Sequence, residues 1–397
     1  MMEYWNVAAR IATMEWRPGA KLQKIGKCMM RKILESFRKD KVLIVSGSVS
    51  AVTMLFVPPS GDYISYIDFK VLAVLFSLMA VIAGIREMGV FEVAARNLLK
   101  RTNRVRTMSL ALILLAFFSS MLITNDVALI TFVPLSIAVL SFAGKGNLIF
   151  VVTMQTIAAN LGSMLTPVGN PQNLYLYSRF GVSAKEFFMI TMPIVALSLV
   201  IVTVITLLSK DDNMEVVLPE GTPIESNRRV ALYMVLFIVC LLSVFGLINH
   251  ALMLVIVIAG ITFTDGGILK KVDYALLLTF VFFFIIVGNV GRMDAVVERM
   301  GALIEGRELF TSIALSQVIS NVPAAIMLSS FTDNYRMLIA GTNIGGLGTL
   351  VASLASLISY KLYSGSEGAK PAEYLKTFSI YNVAVLFVLS VSAIFLY

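Results

Sequence analysis

Four breaks in otherwise apolar runs constrain this 397-residue chain more than any other feature. They are clusters of asparagine, glycine, proline, serine and threonine at Thr124–Asp126, Asn160–Asn173, Ser320–Pro323 and Thr342–Thr349. In water each would be an ordinary loop. In a bilayer each non-helical backbone amide or carbonyl left unpaired costs several kcal/mol, and only protein, water or ligand can satisfy it. The runs themselves are bilayer-crossing by density, since 58% of the residues are hydrophobic and only 14% charged. A chain of this kind is an all-α polytopic membrane protein whose irregular segments line something buried.

The chemistry it lacks narrows the function. Cys28 and Cys240 are far apart with no metal-ligand spacing, and His250 is the only histidine, which argues against a disulfide framework, a zinc site or a histidine-based triad. The chain has no H-E-x-x-H, no paired aspartates on facing spans, no Ser/Lys or Ser/His partnership and no repeated filter loop. An intramembrane enzyme or a channel is disfavoured, and no catalytic residue, cofactor or resident metal is expected. The net charge of +8 would suit a nucleic-acid binder, but Arg17, Lys21, Lys24, Lys27, Arg31, Lys32, Arg38, Lys39 and Lys41 crowd just ahead of the first apolar run. That is the positive-inside pattern of a cytoplasmic N-terminus, able also to meet anionic lipid. No nucleic-acid partner follows from it. The first forty residues lack the short apolar stretch and small-residue cleavage site of a removable signal.

Charged borders divide the chain into a basic cytoplasmic segment 1–41, a first membrane half 42–208, a polar linker 209–229 and a second half 230–397. The first half offers crossings at 42–58 and 68–88, an amphipathic basic stretch at 91–104, and two short arms at 107–142 that meet at Thr124-Asn125-Asp126. Arg104, Arg106 and Lys145 give both outer ends of these arms the same-side signal, so they read as a re-entrant hairpin; two short full crossings would also return the chain to its starting side. A broken crossing at 148–180 and a crossing at 186–208 follow. The second half runs through crossings at 230–248, 251–265 and 274–290, an amphipathic stretch at 292–308, a hairpin at 310–331 and final crossings at 336–360 and 376–397. Its basic residues fall on the N-terminal side of the membrane, except in 292–308, where acids offset them, and the C-terminus is predicted outside.

The halves repeat the same steps. Asn160-Leu161-Gly162-Ser163 followed by Thr166 matches Asn343-Ile344-Gly345-Gly346 followed by Thr349, and Thr124-Asn125 matches Ser320-Asn321. Five crossings separate the two hairpins, an odd number, so the hairpins enter from opposite faces. That is an inverted repeat, the arrangement that lets one midplane site face each side in turn. The breaks supply carbonyls at helix C-termini for cations and amides at N-termini for anions, while Asn, Ser and Thr side chains offer both donors and acceptors. Asp126 is the only ionisable residue between Thr107 and Gly144. A carboxylate at membrane depth costs about 2.5–3.5 kcal/mol on insertion scales. Two roles suit it: carrier of a coupling ion or proton, or N-cap of the arm that begins at Val127.

At these motifs, with Thr-Pro-Val-Gly-Asn-Pro-Gln-Asn over Thr166–Asn173 and Ser-Asn-Val-Pro over Ser320–Pro323, the chain resembles the ion transporter superfamily. That group spans divalent-anion/sodium symporters, citrate transporters, arsenite pumps and one group of sodium/proton antiporters. The resemblance covers about residues 68–397. It implies a homodimer in which a transport part moves against a scaffold as an elevator. Carried over by motif, substrate contacts fall to Thr124, Asn125, Asn173, Ser320, Asn321 and Thr349. Ion coupling, to Na+ or H+, falls to Asn160, Gly169, Asn170, Asn343, Gly345 and Gly346, with Asp126 beside them. The tips depart from the Ser-Asn-Thr of dicarboxylate symporters, and an Asn-Asp first tip lies closer to the arsenite-pump and antiporter side. The expectation is a secondary transporter of a small inorganic or organic anion in the cytoplasmic (inner) membrane, with sodium/proton antiport as the alternative.

Overall fold

The computed structural model describes residues 41–99, 104–140, 145–209, 211 and 226–397. Apart from Lys41 the basic segment 1–41 lies outside the described residues, as does most of the linker 209–229. Among the described residues the regular elements are helices, with no strand. The first half holds α1 (Lys41–Phe56), α2 (Phe69–Glu87), α3 (Val90–Leu99), α4 (Val105–Ile123), α5 (Asn125–Leu140), α6 (Lys145–Gly162), α7 (Pro171–Arg179) and α8 (Ala184–Leu207). The second holds α9 (Asn227–Val244), α10 (His250–Asp265), α11 (Tyr274–Val290), α12 (Asp294–Ile304), α13 (Glu308–Ile319), α14 (Asn321–Leu328), α15 (Tyr335–Ile344), α16 (Leu354–Ser364) and α17 (Pro371–Leu396). Among the described residues six helices are long and apolar enough to cross a membrane, and the bent pair α11–α12 would make a seventh, so this is a multi-pass membrane protein.

Packing sorts the helices into two groups. One holds α1, α2, α9, α10 and α11; the other gathers α4 to α8 and α13 to α17, with α6 packed against α4, α5, α8, α16 and α17. The central place of α6 shows in its burial: 89% of the window Asn147–Leu165 is enclosed, against 22% for α17, whose apolar side chains face outward. The groups meet where α11 packs on α14 and α2 on α7.

Both breaks near Asn125 and Asn321 are chain reversals, because α4 packs along α5 and α13 along α14. The first arm is longer than 107–122 suggests, with 19 residues in α4. It nonetheless ends level with the break after α6, since Gln155 Nε2 donates to Leu112 O and Asn125 N to Gly169 O. Beyond that level α7 continues for 9 residues, about 14 Å of helix.

Ion pairs join ends that the charge map assigns to the same side. Lys271 pairs with Glu87, and Asp211 lies 3.6 Å from Arg104. At the other end Arg292 lies 2.7 Å from Asp62 and Arg336 lies 2.9 Å from Glu186. Glu87 and Arg292, at span ends, are thus paired. The Arg292 hydrogen bond and charge hold the Asp62 carboxyl below its usual range. That pair stays formed above the ordinary carboxylate value and is lost as pH falls through the lowered one.

Candidate functional site

The two hairpin tips share an unusual backbone. Thr124 (φ 70°, ψ 150°) and Ser320 (φ 78°, ψ 154°) are the two non-glycine residues with positive φ among the described residues. This region is essentially reserved for glycine, and holding another residue there costs about 1–3 kcal/mol. Such strain persists where the surroundings over-determine it, and it recurs at functional sites. Thr124→Gly is expected to raise stability by about 1 kcal/mol, after the 0.5–1 kcal/mol that glycine's own chain entropy takes back. Thermal unfolding in detergent measures it, and a clear loss of stability would show that the threonine side chain, not the turn, holds the tip.

What holds each tip is the same set of contacts. Asn125 N donates to Gly169 O at 3.1 Å, and Asn321 N donates to Ala352 O at 3.0 Å. The Thr166 hydroxyl donates to Met121 O, and the Thr349 hydroxyl donates to Gln317 O at 3.0 Å. Gly162 sits against Phe117 and Ser120 on α4, as Gly345 sits against Ser316 on α13. Each contact in the first half has its counterpart at the corresponding motif position in the second.

Asparagines then tie the halves together, and they do so reciprocally. Asn160 Oδ1 accepts from Asn125 Nδ2 at 2.9 Å and from Ser353 Oγ, also at 2.9 Å. Asn343 Oδ1 accepts from Asn170 Nδ2 at 3.2 Å, and Asn343 Nδ2 donates to Asn173 Oδ1 at 2.6 Å. Ser353 follows Asn343 by the same ten positions that separate Asn170 from Asn160. So the first broken helix reaches into the second at one residue of the motif, and the second reaches back at its equivalent. Asn173 also clamps the break, donating to Met164 O and Thr166 O at 3.2 Å each.

A cleft opens in front of this frame. Its lining includes Asn125, Asp126, Gln172, Asn321 and Ser353, with Asp273 contributed by the N-terminal end of α11. These are first-turn or capping residues: α5, α7, α14 and α16 all present their N-termini to the cleft. Helix N-termini carry unpaired amides and about half a positive charge each, a favourable setting for an anion. The described residues hold no cluster of His, Cys, Asp and Glu fit for a metal ion.

The expected site residues divide by position. Asn125, Asp126, Ser320 and Asn321 line the cleft, with Thr124 at the same tip. Asn160, Asn170, Asn173 and Asn343 lie behind it, each at most 4% exposed, and spend their side chains on the frame. Gly169 supplies the carbonyl that Asn125 N meets, Gly345 the carbonyl that Gln317 Nε2 meets, and Gly346 packs against Asn321. Thr349 is exposed and bonded to Gln317, away from the cleft. Gln172, Asp273, Gln317 and Ser353 were not expected. Ser353 was open to detection by extending the repeat to the Asn170 position, and Gln172 lies inside the Thr166–Asn173 motif; Asp273 gives no sequence signal beyond an N-cap.

The chain is similar to known transport proteins. A family model described as "Citrate transporter" (CitMHS) matches residues 29–334. An uncharacterized transporter of Methanocaldococcus jannaschii, MJ0456, is 32% identical over 304 residues, covering 76% of this chain and 82% of its own length. The inner membrane protein YbiR of Escherichia coli is 32% identical over 337 residues, covering 83% and 89%. The crystal structure of the YdaH transporter of Alcanivorax borkumensis superposes with a TM-score of 0.50 at 14% identity, over 83% of this chain and 86% of that one.

Proposed function

The chain belongs to the citrate transporter family, part of the ion transporter superfamily, and on that premise we propose a secondary active transporter that moves a small anion or oxyanion by alternating access, coupled to sodium or protons. Membrane transport follows from the family; substrate, coupling and mechanism are the proposal. The observation that carries it is the ring of four helix N-termini around one cleft, framed by asparagines that link the two halves reciprocally. Reciprocal contacts of this kind are what a two-fold relation between halves produces, which supports the inverted-repeat reading. In this reading the tips at Asn125 and Asn321 grip the substrate, α1, α2 and α9 to α11 form the scaffold, and a homodimer moves its transport parts as elevators. The cleft lining reaches Val42 and Asp273, on the face that carries Lys271 and Glu87. By the positive-inside rule that face is cytoplasmic and the conformation inward-facing, with the C-terminus outside and the protein in the inner membrane.

Sodium/proton exchange is the second reading, favoured by Asp126 and Asp273, the two charged residues that line the cleft. Flux in proteoliposomes under imposed sodium and proton gradients separates the two. Anion flux that either gradient drives, and that Asn125→Ala or Asn321→Ala abolishes, supports the first. Proton movement driven by sodium without any anion supports the second. In the second reading, Asp126→Asn is expected to alter the pH dependence of flux, because the amide cannot carry a proton. The N-cap role expected for Asp126 is not found, since α5 begins at Asn125 and Asp126 Oδ1 has no hydrogen-bond partner among the described residues, and an unchanged pH profile would leave Asp126 with no part in proton movement.

A further inference from the structure

Buried side-chain amides in this molecule spend their nitrogens on protein oxygens, with one exception. Those of Gln155, Asn173, Asn289, Asn343 and Asn382 each donate to a backbone or side-chain oxygen. Gln172 Nε2 is the one buried nitrogen of an asparagine or glutamine side chain with no hydrogen-bond partner among the described residues. The residue is 1% exposed, and it lines the cleft. Sealing an amide donor from water without an acceptor costs stability, because the lost hydration is not replaced. Native structures rarely keep such a group unless something other than the protein supplies its acceptor.

The place of this amide in the fold points to an acid. Gln172 is the second residue of α7, a helix of 9 residues. Pro171 ahead of it has no N–H, and the Asn170 side chain caps Asn173 N at 3.0 Å. A helix N-terminus favours an anion, and the Gln172 amide adds a directed donor beside it. The second half has no equivalent. As Asn170 matches Ser353, Gln172 matches Ala355, and Asp126 at the first tip matches Val322. Asp126 Oδ1 likewise lines the cleft without a partner among the described residues. The unpartnered groups of the cleft thus belong to the first half, and hydrogen bonding to a ligand beyond the matched tip asparagines is one-sided.

We infer that Gln172 is a ligand-binding residue of the cleft, whose amide donates to an oxygen of a small oxyacid and seats that oxygen at the N-terminus of α7. This rests on the anion-transporter reading above and deepens it, by assigning the ligand's acceptor to one half of the repeat. A carboxylate and an inorganic oxyanion share this chemistry, and the probes below separate them. Replacing the amide by an apolar side chain of similar length removes an unmet donor from the free protein and a hydrogen bond from the complex. Gln172→Met therefore stabilises the ligand-free protein and weakens the ligand, whereas loss of a merely structural amide destabilises both.

The full-length protein in detergent is followed by thermal unfolding with lactate, succinate and citrate as carboxylate probes. Phosphate and bicarbonate serve as the inorganic ones, and all five are tested as counterflow substrates in proteoliposomes. At least one probe is expected to stabilise the wild type and to cross. Gln172→Met is expected to bind that probe at least about tenfold more weakly, the loss of one hydrogen bond. Without any probe it is expected to unfold at a higher temperature than the wild type. Gln172→Leu, shorter and branched, is expected to match its loss of affinity. Gln155→Met removes an amide already bonded to Leu112 O and is expected to unfold below the wild type, which gives the sign of a structural amide in the same assay. Wild-type affinity for the probe in Gln172→Met overturns the inference and leaves the transporter reading standing. A Gln172→Met protein that unfolds below the wild type without ligand does the same, since the amide then serves the fold. Failure of every probe to bind or cross overturns the inference and the anion reading together.

Discussion

Gly162→Ala is expected to yield a protein that is severely destabilised or not recovered folded. A Cβ at this position would stand 2.0 Å from the carbonyl oxygen of Phe117 and 2.7 Å from the Ser120 hydroxyl. The first of these is backbone in the middle of α4, so no rotamer change relieves the clash. α4 and α6 would have to part along the most enclosed of the six candidate spans among the described residues. The cost is expected at or above the upper end of the roughly 1–3 kcal/mol typical of overpacking. Gly345→Ala is the informative partner: its Cβ would meet the Ser316 side chain at 2.7 Å and the Gly341 carbonyl of its own helix at 2.8 Å. These approaches, with the Ser316 Cβ also at 2.8 Å, are less severe than the 2.0 Å at Gly162, so this variant is expected to be the milder of the two. Gly61→Ala, with nothing within 4 Å of the added carbon, is expected to stay within about 0.5 kcal/mol of the wild type. Thermal unfolding and gel filtration of the three variants in one detergent rank them, and a Gly162→Ala protein as stable as Gly61→Ala would mean that α4 and α6 do not approach this closely.

The reason these glycines were visible in the sequence is the same reason they matter. N-[LI]-G-[SG] recurs because the chain solves one packing problem twice, bringing a hairpin arm against a helix about to end. Element order and type were legible for the same cause: in a bilayer, length and charge borders leave helices few alternatives. The breaks at Asn125 and Asn321 were legible as interruptions of apolar runs, but their geometry was not. Nothing in Thr124 or Ser320 as residue types announces a positive φ, because β-branched threonine is a poor choice for it, and the tertiary contacts through Gly169 and Ala352 enforce it.

The division of labour among the asparagines was the least legible part. By composition Asn125, Asn160, Asn170, Asn173, Asn321 and Asn343 are interchangeable donors and acceptors, and motif matching assigned them to substrate or ion. In the structure Asn125 and Asn321 line the cleft while the others hold the frame, a distinction set by which helix end each occupies. Gln172 and Asp273 were missed because their significance lies in what they face. Asp273 caps α11, a helix of the other packing group, and only the fold brings it to the cleft with Asp126.

Of the frame residues, Asn160 carries the largest expected effect on transport. Its Oδ1 is the meeting point of Asn125 on the first tip and Ser353 on the second broken helix, and it is 4% exposed. Asn160→Ala leaves the Asn125 amide and the Ser353 hydroxyl without their acceptor, at about 1–3 kcal/mol for each buried group. If half of that total, about 1–3 kcal/mol, falls on the geometry that substrate binding needs, flux drops roughly 5- to 150-fold. Asn160→Asp keeps an acceptor for both donors but loses the donor to Gly346 O at 3.5 Å and adds a charge. Its expected signature is retained stability with altered ion dependence. Ser353→Ala alone removes one donor and is expected to be mild, and in an Asn160→Ala background it is expected to cost nothing further. That non-additivity, about 1 kcal/mol in a double-mutant cycle, separates a direct link between the halves from two independent losses. The Asn170/Asn343 pair, its reciprocal partner, is expected to show coupling of the same sign. Coupling in one pair and none in the other would break the equivalence of the two halves on which the single-site reading depends.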